Sequence, residues 1–136
     1  MRTECVVTRK SPLRLKVVRA FSTSAQARHL TGISSRVLDL EQPALKPNLG
    51  HETYDAIVVF FYLNRPLFPS LIDALKPGGV LLYETFTVDN HVQRQHPKRR
   101  EFCLAHCELL SLTSGLRICH YDEGLHEGTD GLESLY

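Results

Sequence analysis

The sequence predicts an α/β fold, in which helices flank a parallel sheet, and three patterns lead to that prediction. Residues 56–62 (AIVVFFY) are apolar without alternation, which is typical of a strand covered on both faces. A second, mostly apolar run at residues 80–86 (VLLYETF) follows the turn residues Pro77, Gly78 and Gly79. Between the runs, apolar side chains recur at helical spacing: Leu67, Phe68, Leu71, Ile72 and Leu75. Strands that alternate with helices indicate parallel pairing through right-handed crossovers.

The other elements follow from local patterns along the chain. Strands are predicted at residues 4–8 (ECVVT), 35–41 (SRVLDLE) and 116–121 (LRICHY). Helices are predicted at three places: after Ser11-Pro12, over residues 66–76, and over residues 101–112 (EFCLAHCELLSL) with a stop near Gly115. Residues 87–100 are predicted to be a polar loop, and the Gly-rich tail after Tyr121 shows no clear strand.

Length and composition indicate one domain spanning residues 1–136. The chain is 43% hydrophobic and 23% charged, which is ordinary for a globular protein with a core. No apolar run approaches the length that crosses a bilayer, so no membrane partner is expected. The four cysteines are too few and too scattered for a disulfide scaffold, which favours the reducing cytoplasm.

Positive charge is concentrated at the N-terminus. Residues 1–38 hold eight Lys or Arg and one acidic residue, a net charge of +7, whereas residues 39–136 carry −6. The basic segment, residues 1–34, fits either a mitochondrial targeting sequence or a helix with a solvated basic face. Because Ser11 and Pro12 suit the first positions of a helix, we favour the second interpretation.

Two carboxylates stand at the ends of predicted strands. Asp39 ends one strand and Glu84 ends another, and parallel α/β sheets bind their ligands at the carboxyl ends of strands. The alternative for Glu84 is a partly exposed carboxylate that is hydrogen-bonded locally. Spacing alone leaves both interpretations open.

Several motifs in register resemble one enzyme family. Residues 54–86 (YDAIVVFFYLNRPLFPSLIDALKPGGVLLYETF) resemble the fourth strand, following helix and fifth strand of class I S-adenosylmethionine-dependent methyltransferases. RVLDLEQ resembles their third strand, and ECVVTRKSPLRL their second. The ETF and ELL motifs are most similar to small methyltransferases of the tellurite-resistance-like branch. The resemblance implies a Rossmann-like sheet, S-adenosylmethionine as cofactor and a small-molecule methyl acceptor.

The resemblance also implies which residues form the site. Asp39, Leu40 and Phe60 are the candidate cofactor-binding residues, with Asp39 accepting from the adenine amine and Leu40 packing on the ring. The candidate catalytic residues are Tyr62, Asn64, Arg65 and Glu84. The basic run HPKRRE lacks interleaved aromatic residues, so it is expected to be a solvated loop and no nucleic-acid partner is expected.

The departures from the family pattern are as informative as the matches. The glycine-rich turn that lets the backbone approach the cofactor occurs nowhere in the sequence. The ribose-binding acid would fall at Thr8 or Arg9, and arginine carries only donors. The chain therefore resembles a domain that begins at its second strand and lacks a clear last strand. We expect exposed sheet edges, which favour a homodimer or a protein partner.

Two functional hypotheses follow, and they belong to different classes. One is a methyltransferase impaired by the missing motif, and the other is a non-catalytic methyltransferase remnant that acts as a protein-interaction module. A zinc site at Cys103, His106 and Cys107 is disfavoured because it would need four ligands and a Cys-x-x-Cys hook is absent. These cysteines are expected to be buried and structural, with no metal.

Overall fold

The computed structural model describes residues 3–8, 33–38, 40, 48–127 and 133–135. The chain divides into two compact units, residues 1–47 and residues 48–136, and each is described by itself. The helix predicted after Ser11-Pro12 and the candidate residue Asp39 lie outside the described residues.

The first unit contains a pair of parallel strands. Strand β1 (Thr3–Thr8) pairs with β2 (Ile33–Leu38), in register from Thr3 opposite Ile33 to Thr8 opposite Leu38. Both strands were predicted, the first from its β-branched residues, and both predictions are confirmed, although β2 begins and ends earlier than the predicted range of residues 35–41.

The second unit begins with a strand–helix–strand arrangement. Strand β3 (Tyr54–Phe60) leads into a 3₁₀ helix (Arg65–Leu67), helix α1 (Phe68–Ala74) and strand β4 (Leu75–Glu84). Strands β3 and β4 are parallel, which confirms the predicted pairing. The second unit thus contains a small parallel two-stranded sheet with helices beside it, which is an α/β arrangement.

Helix α1 is short because its residues allow both a clear start and a clear stop. Pro69 occupies a first-turn position, where a missing amide hydrogen costs nothing, and Leu75 leaves the helix with extended dihedral angles of −75° and 136°. The helix buries Phe68, Leu71 and Ala74 on one stripe. The predicted helix, which extended to Lys76, is therefore correct in position and slightly too long.

The glycine pair forms a bulge inside β4 instead of a turn before it. Tyr54 lies opposite Leu75, but Ala56 lies opposite Val80, so Asp55 alone faces the four residues 76–79 of β4. Gly78 has a φ of +79°, and a Cβ on Gly79 would meet the Lys76 carbonyl oxygen at 2.9 Å. Lys76 Nζ donates to both carboxylate oxygens of Asp55 at 3.0 and 2.9 Å, across the bulge.

The core of the second unit lies on one face of the β3–β4 pair. Leu63, Phe68 and Leu104 form its centre, and Tyr83, Leu109 and Leu112 pack against them. The opposite face is exposed at four large apolar side chains: Val58 56%, Phe60 51%, Val80 60% and Leu82 47%. The prediction that these strands are covered on both faces is wrong for this face, because side chains alternate along a strand and the described core contacts only one side.

Downstream of β4, tertiary contacts override the local pattern. Helix α2 (Val88–Arg94) occupies the segment predicted to be a loop. It has little apolar periodicity, and it is anchored by the buried Asn90, whose side-chain amide donates to the His96 carbonyl oxygen at 2.6 Å. Such an anchor depends on the three-dimensional contact and leaves no periodic signal.

The segment predicted as one long helix is broken in the structure. A 3₁₀ helix (Arg100–Phe102) and helix α3 (Glu108–Leu112) flank Leu104, which forms a parallel β-bridge with Thr87. The amide of Leu104 donates to Phe86 and its carbonyl accepts from Val88, at 2.9 and 2.8 Å. The backbone at the buried Leu104 is therefore extended, and a continuous helix over this segment could not form the bridge to Thr87.

The strand predicted at residues 116–121 is wrong, and the tail contains strands that the sequence did not reveal. Residues 116–121 form no strand, and residues 117–120 are all exposed. Instead, β5 (Leu125–Glu127) pairs antiparallel with β6 (Glu133–Leu135). Over the described ranges, no helix is long and apolar enough to cross a membrane.

Candidate functional site

The candidate site lies at the carboxyl ends of β3 and β4. Phe60 and Glu84 lie opposite each other in the parallel register, so the two strands end at the same level. The amide of the next residue, Phe61, donates to the Glu84 carbonyl oxygen at 2.8 Å and closes this end of the ladder. The sequence predicted this edge as the place for a ligand, because residues from both strands converge there.

Two of the candidate residues form a small hydrogen-bonded group behind this edge. Asn64 Nδ2 donates to the hydroxyl oxygen of the buried Tyr62 at 3.2 Å. The Tyr83 hydroxyl on β4 in turn donates to the Tyr62 carbonyl oxygen at 2.5 Å. These bonds fix the chain as it leaves β3, and they hold the Asn64 amide in a defined orientation.

Arg65 is engaged in a dense set of contacts with the downstream part of the unit. Its Nε donates to Glu108 Oε1, and its Nη2 donates to Glu108 Oε2 at 2.8 Å. The same guanidinium donates to the carbonyl oxygens of Glu101 and Cys103 at 2.9 and 3.0 Å. Because these bonds use four of its five N–H groups, Arg65 is better suited to positioning than to binding a substrate.

The titration behaviour of this ion pair follows from its geometry. The hydrogen bond to Glu108 raises the pKa of Arg65, against the opposing effect of burial. The hydrogen bond from Arg65 lowers the pKa of Glu108, assisted by the Ala105 amide, which donates to Glu108 Oε2 at 2.8 Å. Both groups are therefore charged across the physiological range.

Glu84 differs from the other candidate residues in the contacts of its carboxylate. The side chain is half-buried, and no hydrogen bond or ion pair to that carboxylate is found within the described part of the chain. The local hydrogen bond that was the alternative interpretation of Glu84 is thus not seen there. The geometry leaves this carboxylate able to accept a hydrogen bond or a proton at the strand end.

An aromatic row borders the same edge, and the sequence did not reveal it. The Phe60 and Phe61 rings lie 6.3 Å apart, Phe61 stacks on Phe86 at 5.3 Å, and the His96 ring meets Phe86 edge-on at 5.0 Å. Phe61 has a φ of +53°, a left-handed conformation that is rare for a bulky residue and is frequent at binding sites. Only the adjacency of Phe60 and Phe61 is visible in the sequence, because Phe86 and His96 come from other elements.

The remaining candidate residues belong to the first unit. Leu40 is buried, with 7% of its surface exposed, and Asp39 lies outside the described residues. Glu108 was not among the candidates, although it contributes most to the placement of Arg65. Glu108 lies 43 residues from Arg65 along the chain, so no local sequence pattern connects the two residues.

The cysteine and histidine group near α3 does not converge. Cys103 is buried, Cys107 is exposed, and His106 Nε2 lies 3.0 Å from Asp89 Oδ2. Burial raises the pKa of the Cys103 thiol. No cluster of three or more metal-ligating side chains is found where the structure describes the chain. The prediction of a buried, structural thiol is confirmed for Cys103 and wrong for Cys107.

No protein-family model matches the sequence, and no curated protein matches it either.

Proposed function

We propose that this chain is an S-adenosylmethionine-dependent methyltransferase domain with a small-molecule acceptor. The observation that supports it is the parallel β3–α1–β4 unit, whose register brings Phe60 and Glu84 to one edge. The resemblance of residues 54–86 to the methyltransferase family implies that the cofactor and the acceptor bind at this edge. The proposal extends to a cytoplasmic location, with the mitochondrion as the alternative if the basic segment is a targeting sequence.

The residues at this edge suit part of such a site. Phe60 offers an exposed ring at the start of the aromatic row that continues with Phe61. Glu84 offers a carboxylate that has no hydrogen-bond or ion-pair partner among the described residues. The assignment of Asp39 and Leu40 to the adenine end rests on the resemblance of RVLDLEQ to the third strand of the family. The glycine-rich turn has no counterpart in the sequence, so binding would depend on side chains more than on backbone amides.

The proposed chemistry is an in-line displacement that relies mostly on positioning. When bound, S-adenosylmethionine would supply an electrophilic methyl group; the acceptor's lone pair would form the new bond to this methyl carbon, and the sulfur would leave with the electrons of the carbon–sulfur bond. Glu84 takes up any proton that the acceptor atom loses. Tyr62 and Asn64 orient the acceptor, and Arg65 holds their loop in place through Glu108.

We expect weak but specific binding of S-adenosylhomocysteine to the 136-residue chain. Without the glycine-rich turn and the ribose-binding acid, affinity should be about a hundredfold or more below that of a domain that has both, since each lost set of hydrogen bonds costs roughly 1.5–3 kcal/mol. Asp39→Ala should weaken the remaining binding about tenfold or more, as measured by isothermal titration calorimetry.

A matched control is Asp122→Ala, which removes an exposed carboxylate from the loop before β5. It should leave the affinity unchanged. Equal binding by Asp39→Ala and the parent chain would remove Asp39 from the site. If the folded chain binds no S-adenosylhomocysteine at millimolar concentration, the methyltransferase proposal fails. Turnover of labelled S-adenosylmethionine with thiol, oxyanion or carboxylate acceptors would identify the acceptor class.

The second candidate function is a non-catalytic interaction module, and the exposed apolar face of the β3–β4 pair favours it. Val58 and Leu82 lie opposite each other on this face, with Phe60 and Val80 beside them. Contiguous apolar side chains that are exposed on a sheet commonly mark an association surface. In this alternative, two copies of the chain associate through these faces.

Self-association can be tested with Leu82→Lys, which places a charge at the centre of this face. Sedimentation equilibrium should show a dimer for the parent chain and a monomer for the variant, because a buried unpaired charge is strongly unfavourable. Leu125→Lys is the matched control, since Leu125 is 56% exposed in β5, away from this face. A parent chain that stays monomeric at high concentration would contradict the dimer.

A further inference from the structure

A cavity of about 410 Å³ lies beside α2, and none of its lining residues is a candidate residue of the carboxyl-end site. His91, Val92 and Gln95 line it from the helix and its end, and Lys98 lines it from the following turn. Three of the four side chains carry polar hydrogen-bonding groups, and Val92 supplies an apolar wall that is 72% exposed. Val92, Gln95 and Lys98 are exposed and His91 is half-buried, so the cavity is an open depression of the surface.

The imidazole of His91 has a defined orientation in this cavity. Its Nδ1 lies 2.7 Å from the Pro97 carbonyl oxygen, and because a carbonyl only accepts, Nδ1 carries a hydrogen and donates it. Its Nε2 has no hydrogen-bond partner among residues 48–127. The ring therefore presents the lone pair of Nε2 as an acceptor, in an orientation fixed by the bond from Nδ1.

The charges near the cavity favour an anion. Residues 90–100 include Arg94, Lys98, Arg99 and Arg100 and no acidic residue. The nearest acids along the chain are already engaged, Asp89 with His106 at 3.0 Å and Glu101 with Arg99 at 2.5 Å. Lys98 forms no ion pair in the part of the chain that the structure describes. Its ammonium group is thus available to a ligand.

We propose that this cavity binds a small phosphate-type anion. Lys98 provides the charge, the Gln95 amide provides a donor, and the Nε2 lone pair of His91 accepts from a protonated phosphate oxygen, while Val92 contacts the apolar part of the ligand. Lysine suits phosphate as a compact charge with three donors, and hydrogen bonds from charged donors to phosphate oxygens are among the stronger ones.

The experiment is a titration of the full 136-residue chain with inorganic pyrophosphate at constant ionic strength. Calorimetry should detect binding to the parent chain, and Lys98→Gln should weaken it about tenfold or more because a charge-assisted contact is lost. His91→Gln should weaken it several-fold. Amide chemical-shift changes should be confined to residues 91–98 and their neighbours.

Arg117→Gln is the matched control, because it removes one positive charge from an exposed position outside the cavity. This variant should retain the parent affinity within about twofold, as expected for an exposed, screened charge that does not line the cavity. Equal weakening by Lys98→Gln and Arg117→Gln would show a diffuse electrostatic effect and overturn the proposal. The proposal would also be overturned if the folded chain bound no pyrophosphate at concentrations up to about 10 mM. A single-stranded oligonucleotide that binds more tightly than pyrophosphate, with a steep salt dependence, would indicate a nucleic-acid surface instead.

Discussion

Replacing Phe68 with alanine should lower the free energy of unfolding of the second unit by about 3–5 kcal/mol. Phe68 is 1% exposed, its ring centroid lies 4.9 Å from that of Tyr83, and it forms a buried cluster with Leu63 and Leu104. Truncation removes this apolar burial and leaves a cavity between α1 and β4, which a close-packed interior fills only in part. Urea denaturation, followed by tyrosine fluorescence and circular dichroism, measures the change.

The chain offers a control with the same chemical change, because Phe60 is 51% exposed on the opposite face of the β3–β4 pair. Phe60→Ala should cost less than about 1 kcal/mol, since little apolar area leaves a buried environment. Similar losses for both variants would contradict the placement of the core on the α1 side.

Replacing Arg65 with methionine should lower the free energy of unfolding by about 2–3 kcal/mol at neutral pH. The change leaves the Glu108 carboxylate without its charged partner, and it leaves the Glu101 and Cys103 carbonyl oxygens without their donors. The expected loss is smaller than for a fully buried pair, because 39% of the Arg65 side chain and 21% of the Glu108 side chain are exposed to solvent.

The pH dependence of this effect has a definite sign. The folded-state pKa of Glu108 is lowered from its usual value of 4.5, so the pair stabilises the protein fully above that value and loses its contribution as pH falls through the lowered pKa. The stability difference between the parent chain and Arg65→Met should therefore shrink in acid. Arg99→Gln removes an exposed ion pair with Glu101 and should cost less than about 0.5 kcal/mol. A loss as large as that of Arg65→Met would refute the special role of the Arg65 contacts.

The sequence predicted the strands best where the apolar pattern was continuous. Residues 56–62 and 80–86 lie in or next to β3 and β4, and the parallel pairing followed from the helical stripe between them. The glycine pair was identified as a break in regular structure, but its role as a bulge depends on how Asp55 faces Lys76 across the strands. Single-residue patterns do not carry that information.

Downstream of β4 the sequence was a poorer guide, because specific tertiary contacts decide the structure there. Helix α2 is anchored by the buried Asn90, and Leu104 pairs with the segment before that helix. Neither contact has a periodic signature. For the candidate site, the convergence of Phe60 and Glu84 could be predicted from parallel pairing, whereas the Glu108 partner of Arg65 and the Phe86 neighbour of Phe61 could not.

The wide separation of Arg65 and Glu108 along the chain has a consequence for folding order. The contact between Tyr62 and Tyr83 closes a loop of 21 residues, whereas the Arg65 contacts with Glu108 close one of 43. Each doubling of loop length adds about 0.6 kcal/mol of closure entropy, so the shorter loop has the lower entropic barrier. The β3–α1–β4 scaffold can therefore assemble from local contacts before the downstream residues arrive. The hydrogen bonds from Arg65 to Glu108 therefore form late in folding, because they require both halves of the unit to be in their native positions.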